Sequence, residues 1–180
     1  MTDGPIITPA TPADAAEIAA IYAHHVRYGV ATFEIVPPEP CEIVLRIAKV
    51  VDAGHPWLVA RDAAGEMVGY AYAGLFHPRE AYRFTCEDSI YLRHDRIGQG
   101  LGAALLGALI AAAEASGFRQ MIAQITSGEG GSITLHRRFG FVEAGRIAAV
   151  GRKHGRWLDI TMMQRALGKG AASSPETPLD

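Results

Sequence analysis

At 180 residues, 49% hydrophobic and 20% charged, the chain fits one compact α/β domain with a full core, and global disorder is excluded. A net charge of −2 gives no basis for a nucleic-acid surface, although Arg93, Arg96 and Lys153 remain to steer a small anion. Cys41 and Cys86 are far apart and form no C-x-x-C pair, which argues against a disulfide scaffold or a metal site and points to a reducing, cytoplasmic setting. The start, MTDGPIITPA, carries an acid and no signal-peptide core. The most apolar run, Gly98–Ala113, stops at Glu114, short of the ~20 residues that span a bilayer, so no membrane partner is expected.

In chain order, Ile6 and Ile7 predict a short strand. Thr11-Pro12-x-Asp14 is a helix start, with Ile18, Ile21, Tyr22 and Val26 at helical spacing and a stop at Gly29. Pro37-Pro38-x-Pro40 breaks the chain before a second helix through Ile43, Ile47 and Val50 or Val51, ending at Gly54. Trp57–Arg61 and Glu66–Phe76 predict a hairpin turning at Asp62–Gly65, followed by a third strand over Tyr82–Leu92. A strong helix places Leu101, Leu105, Leu106, Leu109, Ile110 and Ala113 on one side and stops at Gly117. Met121–Thr126 is a buried strand, Ser132–Phe139 a short helix, and Phe141–Val150 with Trp157–Gln164 a closing pair of strands. Residues 1–167 read as a single domain, and 168–180 (GKGAASSPETPLD) as a flexible tail. The order predicts an α/β (α+β) fold: a mixed, mostly antiparallel sheet with helices on both faces.

The stretch RIGQGLGAALL (Arg96–Leu106) sets glycines ahead of a helix, where backbone N–H groups attract anions. No G-x-x-x-x-G-K-[ST] run exists, so a P-loop is excluded. Gly98-Gln99-Gly100-Leu101-Gly102-Ala103 satisfies the dinucleotide pattern G-x-G-x-x-[GA]. It lies mid-chain, however, beyond a charged loop, and lacks a ribose-binding acid near Arg119–Gln124. Two readings remain at this point: a pyrophosphate held at the helix start, or glycines that permit only close helix–strand packing.

The unit SIYLRHDRIGQGLGAALL resembles the acetyl-CoA signature of the GNAT superfamily of N-acetyltransferases. More closely, the chain is similar to the phosphinothricin and methionine sulfone/sulfoximine acetyltransferases. The resemblance is carried in order by ATFE (Ala31–Glu34), HPWLVA (His55–Ala60), VGYAYAG (Val68–Gly74), AYRFTCEDSIYL (Ala81–Leu92), SITLHRRFGF (Ser132–Phe141) and GRKHGRWLDITMMQR (Gly151–Arg165). It implies a GNAT fold with a central splayed strand pair, opened by a bulge, and a homodimer using acetyl-CoA with no metal. Ile90, Tyr91 and Leu92 would offer backbone groups to the pantetheine. Arg96, Ile97, Gly98, Gln99, Gly100, Leu101, Gly102 and Ala103 would hold the pyrophosphate, and Glu129 would stand at a cofactor contact. The Leu92 N–H would donate to the thioester oxygen.

Glu87 occupies the place of the family's proposed catalytic glutamate. By strand alternation it shares a face with Ser89 and Tyr91, while Asp88 and Ile90 point oppositely. His136 matches a residue regarded in the family as a catalytic or structural helper. The acceptor region implied by the resemblance comprises Phe33, His77, Pro78, Arg79, Tyr82, Glu87, Asp88, Ser89 and Lys153, with Phe84 and His154 beside it. Three positions depart from the family pattern: Ile97 and Arg152 replace the usual arginine or glutamine and an aromatic, and Glu129 replaces a cofactor-contacting asparagine. The implied activity is direct acetyl transfer to the α-amine of a small amino acid analogue. A GNAT enzyme for another amine or a protein N-terminus, and a CoA-binding sensor without turnover, are the alternatives.

Overall fold

The chain runs through β1 (Ile6–Pro9), α1 (Ala15–Tyr28), α2 (Pro40–Val51), β2 (Trp57–Arg61), β3 (Met67–Leu75) and β4 (Thr85–Leu92). It continues through α3 (Leu101–Ala115), β5 (Gln120–Thr126), α4 (Gly130–Arg138), β6 (Val142–Lys153) and β7 (Arg156–Ala166). The structure is a computed structural model and describes residues 4–174. The strands form one sheet in the order β1-β2-β3-β4-β5-β7-β6, antiparallel throughout except for the parallel pair β4–β5. Pro12 opens a 3-10 turn into α1, where the Thr11 N–H and hydroxyl both donate to the Asp14 carboxylate at 2.7 and 2.8 Å.

Helices cover both faces. Leu105, Leu106, Leu109 and Ala113 of α3 pack on Ala71, Ala73, Cys86, Met121 and Ala123. On the other face Ile18, Tyr22 and Val26 of α1 and Ile43 and Ile47 of α2 pack on Trp57, Val59, Tyr70 and Tyr91. A strand buried on both sides cannot show polar–apolar alternation, which is why β2 and β3 read as continuous apolar runs.

The sheet parts in the middle. β4 and β5 pair only over Thr85–Glu87 against Gln120–Ile122, whereas β5 stays with β7 along Gln120–Thr126. The expected bulge is not the cause, because the β3–β4 register runs unbroken from Gly69↔Leu92 to Leu75↔Cys86. Each strand keeps its outer neighbour, and the divergence falls on the short parallel contact between them. The intact register also preserves the parity that sets Glu87, Ser89 and Tyr91 apart from Cys86, Asp88 and Ile90.

Three boundaries differ from expectation. Tyr82 lies in a 3-10 turn, Glu80–Tyr82, closed by its N–H to the Arg79 carbonyl, so the strand begins at Thr85. The β6–β7 hairpin is longer than the apolar pattern suggested. It is broken by register shifts, with Ala149 and His154 at φ +49° and the Ala149 N–H held by the Asp159 carboxylate at 2.7 Å. At the start of the tail, Gly170 and Ala172 donate to the Leu167 and Lys169 carbonyls; the remainder of the tail, 175–180, lies outside the described residues.

Gly69 fixes how closely β3 approaches the end of β4. A Cβ there would stand 2.7 Å from Leu92 Cδ2 and 2.9 Å from the Tyr91 carbonyl oxygen, which is backbone. Gly69→Ala is expected to cost about 1–3 kcal/mol in urea unfolding. A loss below half a kcal/mol, roughly the scatter of neutral surface changes, would show that the strands can yield.

Candidate active site

Where β4 and β5 diverge, the backbone of β4 loses a partner. The Phe76 N–H bonds the Thr85 carbonyl and the Arg93 N–H bonds the Val68 carbonyl, which sets the alternation along the antiparallel pair. Glu87, Ser89 and Tyr91 therefore turn their main-chain groups to β3. Asp88, Ile90 and Leu92 turn theirs towards β5, which has moved away. A cavity of about 520 Å3 occupies this opening. Its walls come from β4 (Glu87 to Leu92), β5 (Ala123 to Thr126), the glycine loop, α4, and His25 and Ala31 from the first helix and its exit. The space passes through the sheet, reaching Glu87 on the α1 side and Gly98, Gly100 and Gly102 on the α3 side.

The glycine loop is built for close approach. Gly98 and Gly100 have φ of +82° and +80°, a conformation that strains any other residue. The N–H groups from Gly98 to Gly102 make no hydrogen bond within the described residues. This is an open row of donors at the N-terminus of α3, the arrangement that holds a phosphate. Ile97 and Ala103 also line the cavity, whereas Leu101 is buried in the core and Gln99 does not reach it. Arg96 stands apart, pairing with Asp62 at 3.1 Å and Glu66 at 3.8 Å; Arg93 likewise pairs with Asp95 and Glu66.

Two carboxylates sit next to each other on β4 and face opposite ways. Glu87 accepts a hydrogen bond from Gln124 Nε2 at 2.6 Å. Burial raises its pKa, the neighbouring Asp88 charge adds to the rise, and Gln124 opposes it. Tyr72 stands beside it, its hydroxyl pKa pushed up by burial, with Ser89 opposing the rise. On the other face Asp88 is buried, with Oδ2 at 3.0 Å from His136 Nε2, while His136 Nδ1 is 2.7 Å from the Ser132 carbonyl. Both ring nitrogens thus face acceptors, an arrangement the doubly protonated imidazolium satisfies by donating from each. Burial acts to lower the His136 pKa, but the Asp88 hydrogen bond and charge outweigh it and hold it above the ordinary value. Asp88 Oδ1 is buried without a hydrogen-bond partner among the described residues. Cys86, next to Glu87, faces the core with its thiol pushed up to about 12 by burial, so it is no nucleophile.

The remaining acceptor candidates do not line this cavity. Phe33 lies against Gly151 of β6, so closely that a Cβ there would fall inside the ring's contact distance. Its ATFE segment is held on both sides: the Tyr22 hydroxyl bonds Thr32 Oγ1 at 2.7 Å, and Arg46 bonds Glu34 at 2.7 Å. Lys153 is buried, its ammonium donating to the Thr32 carbonyl at 2.7 Å, and it borders a separate cavity with Arg27, Arg152 and His154. Burial lowers its pKa. His77, Pro78, Arg79 and Tyr82 form the loop beyond β3, where the Arg79 N–H donates to His77 Nδ1 and the His77 and Tyr82 rings meet at 4.9 Å. That loop leaves the ladder after Phe76, two residues past Gly74, which lies opposite Glu87.

Four residues that sequence reasoning missed stand in the cavity or at its edge. Gln124 is the one exposed polar residue in the otherwise buried run MIAQIT, and that was its signal. His25 Nε2 lies 2.7 Å from the Leu92 carbonyl, Tyr72 borders Glu87, and Arg138 lines the cavity from α4; these carry no signal short of the fold.

Removing His136 strands a buried carboxylate, which typically costs about 3–5 kcal/mol. Because the His136 pKa is raised in the folded protein, its contribution is complete below the unfolded value near 6.5 and is lost as pH rises through the folded one. His136→Gln should therefore unfold at lower urea, with a gap to wild type that narrows from pH 6 to pH 9. A gap independent of pH would contradict the imidazolium pair.

The chain matches the Acetyltransferase (GNAT) domain family over residues 7–162. It is 52% identical over 164 residues to the phosphinothricin N-acetyltransferase of Alcaligenes faecalis, covering 91% of this chain and 83% of that one. It is 54% identical over 111 residues to the L-methionine sulfoximine/L-methionine sulfone acetyltransferase of Pseudomonas aeruginosa, which is 62% of this chain and 64% of that one. The crystal structure of a GNAT superfamily phosphinothricin acetyltransferase from Sinorhizobium meliloti in complex with AcCoA superposes with a TM-score of 0.94. It is 47% identical, and the match covers 96% of this chain and 94% of that one. With the parted strands, the open N–H row and the matched length together, the chain belongs to the GNAT acetyltransferase family.

Proposed function

We propose that this chain transfers the acetyl group of acetyl-CoA to the α-amine of a small amino acid analogue: phosphinothricin, methionine sulfoximine or methionine sulfone. The observation that carries the proposal is the cavity itself. It joins an open phosphate-binding loop to a half-buried carboxylate with an elevated pKa through a gap in the sheet. The residues present fit the donor: Gly98–Gly102 for the pyrophosphate, the Ile90 main-chain groups for the pantetheine amides and the Leu92 N–H for the thioester, the Leu92 carbonyl being held by His25 at 2.7 Å. When bound, the thioester supplies an activated acyl carbon.

An α-ammonium must lose a proton before it can attack. Glu87, facing the acceptor side, accepts that proton directly or through water, and its raised pKa brings it closer to that of the amine. The C–N bond forms as the C–S bond breaks, and the thiol leaves with a proton. The Leu92 N–H donates to the thioester oxygen, where negative charge develops. His136, with both nitrogens committed, acts as a positioning residue that ties α4 to β4 through Asp88. Transfer is direct, since Cys86 is buried as a thiol. The names of the relatives support the acceptor class.

Among the described residues no helix is long and apolar enough to cross a membrane. A cytoplasmic location and a homodimer belong to the same proposal. The exposed Val142, Ile147, Val150 and Trp157 of the β6–β7 hairpin support a second copy as partner, which light scattering would detect.

Thiol release from acetyl-CoA with each of the three acceptors tests the activity; no release with any of them, despite donor binding, overturns it. Glu87→Gln is expected to lower kcat by a factor on the order of 10² to 10⁴ and to abolish the acidic limb of the kcat/KM profile. Gln124→Leu removes the hydrogen bond that lowers the Glu87 pKa, so that limb should move to higher pH. A limb unmoved in both variants would assign it to another group.

A further inference from the structure

The donor carries two anionic parts, a diphosphate and a phosphomonoester on the ribose 3′ position. The glycine loop accounts for the first with backbone N–H groups. The guanidiniums nearest that loop in the chain are already spent on acids: Arg93 is 2.7 Å from Asp95, and Arg96 is 3.1 Å from Asp62. Among the residues that line the cavity the single guanidinium is that of Arg138. It is exposed and has no ion pair among the described residues, whereas its neighbour Arg137 pairs with Glu143 at 3.6 Å.

Its place in the fold fits the second anion. α3 and α4 run side by side in the same direction, since Gly102 meets Leu135 and Gly107 meets Phe139. The face of α4 turned to the cavity carries Gly131, Ser132, Leu135 and Arg138 on successive turns. Leu135 lies against the end of the glycine loop. Arg138 is one turn further, about 4.5 Å along the axis, on the groove between the two helices. A diphosphate seated on Gly98–Gly102 would lie in the same cavity as Arg138, with that groove beside it.

We infer that Arg138 and the α3–α4 groove form a subsite for the ribose 3′-phosphate of the donor, and that this contact selects CoA thioesters over their 3′-dephospho forms. The inference rests on the acetyl-CoA reading of the cavity. A planar fork of N–H donors grips a phosphate dianion in two places, which a lysine does less well. The anchor lies far from the thioester, so it acts on donor binding and leaves the chemical step alone.

Steady-state kinetics of the full-length protein with acetyl-CoA and with 3′-dephospho-acetyl-CoA test it. The wild type should prefer acetyl-CoA by roughly tenfold or more in kcat/KM, almost all of it in KM. In Arg138→Ala that preference should collapse to within about twofold, with Arg138→Lys in between. A wild type that treats the two donors alike overturns the subsite, as does an Arg138→Ala variant that keeps the wild-type preference. An equal loss on both donors also overturns it, since Arg138 would then serve the diphosphate. If acetyl-CoA fails to raise the wild-type Tm at all, the donor reading falls, and the subsite with it.

Discussion

A three-residue parallel contact carries the consequences of this fold. β4 and β5 are joined from Thr85 to Glu87 and then separate, each held by its outer neighbour. A sheet normally satisfies its main-chain groups strand to strand, and leaving those of Asp88 and Ile90 and the Leu92 N–H turned towards a gap would be costly in a dry interior. In the proposed reaction the amide-bearing donor completes the sheet at this gap. The same divergence opens a passage between the two faces, so that a donor entering from α3 and an acceptor entering from the α1 side can meet at the end of β4.

Strand parity divides the chemistry at that meeting point. Glu87 looks to the α1 face, the acceptor side in the proposed reaction, with Tyr72, Ser89 and Gln124 around it; Asp88 looks to α4 and holds His136. Had a bulge opened the strands, as in the expectation from the family, parity would have slipped within β4 and exchanged these roles. The unbroken β3–β4 register keeps both carboxylates in place. Their adjacency has an electrostatic effect too, since the Asp88 charge adds to the burial that raises the Glu87 pKa.

The parts of the molecule that were legible in the amino-acid order are those set by local rules. The helix at Leu101, the Asp62–Gly65 hairpin and the glycine loop follow from spacing and backbone freedom, whereas Glu87 was singled out by the family resemblance of its strand. What was illegible depends on long-range pairing. Arg96 looked like a free cation beside the loop, and only the β2–β3 hairpin, bringing Asp62 and Glu66 across, shows that it is neutralised. Lys153 was expected to steer an anion in the acceptor region, yet the ammonium is buried against the ATFE segment from the other end of the chain. Tyr82 carried the aromatic signature of a strand, but the preceding loop folds into a 3-10 turn. Gln124, His25 and Arg138 arrive at the cavity from three separate elements, and no single stretch of sequence contains that arrangement.

In the proposed reaction the N–H groups facing the parted strands and those of the glycine loop form the binding surface for acetyl-CoA. Residue-resolved amide hydrogen exchange with and without acetyl-CoA tests it most directly. Exchange should slow at Ile90, Leu92 and Gly98 to Gly102, with little change in β1 and β2. Protection confined to other segments, with these amides exchanging as freely as before, would contradict it.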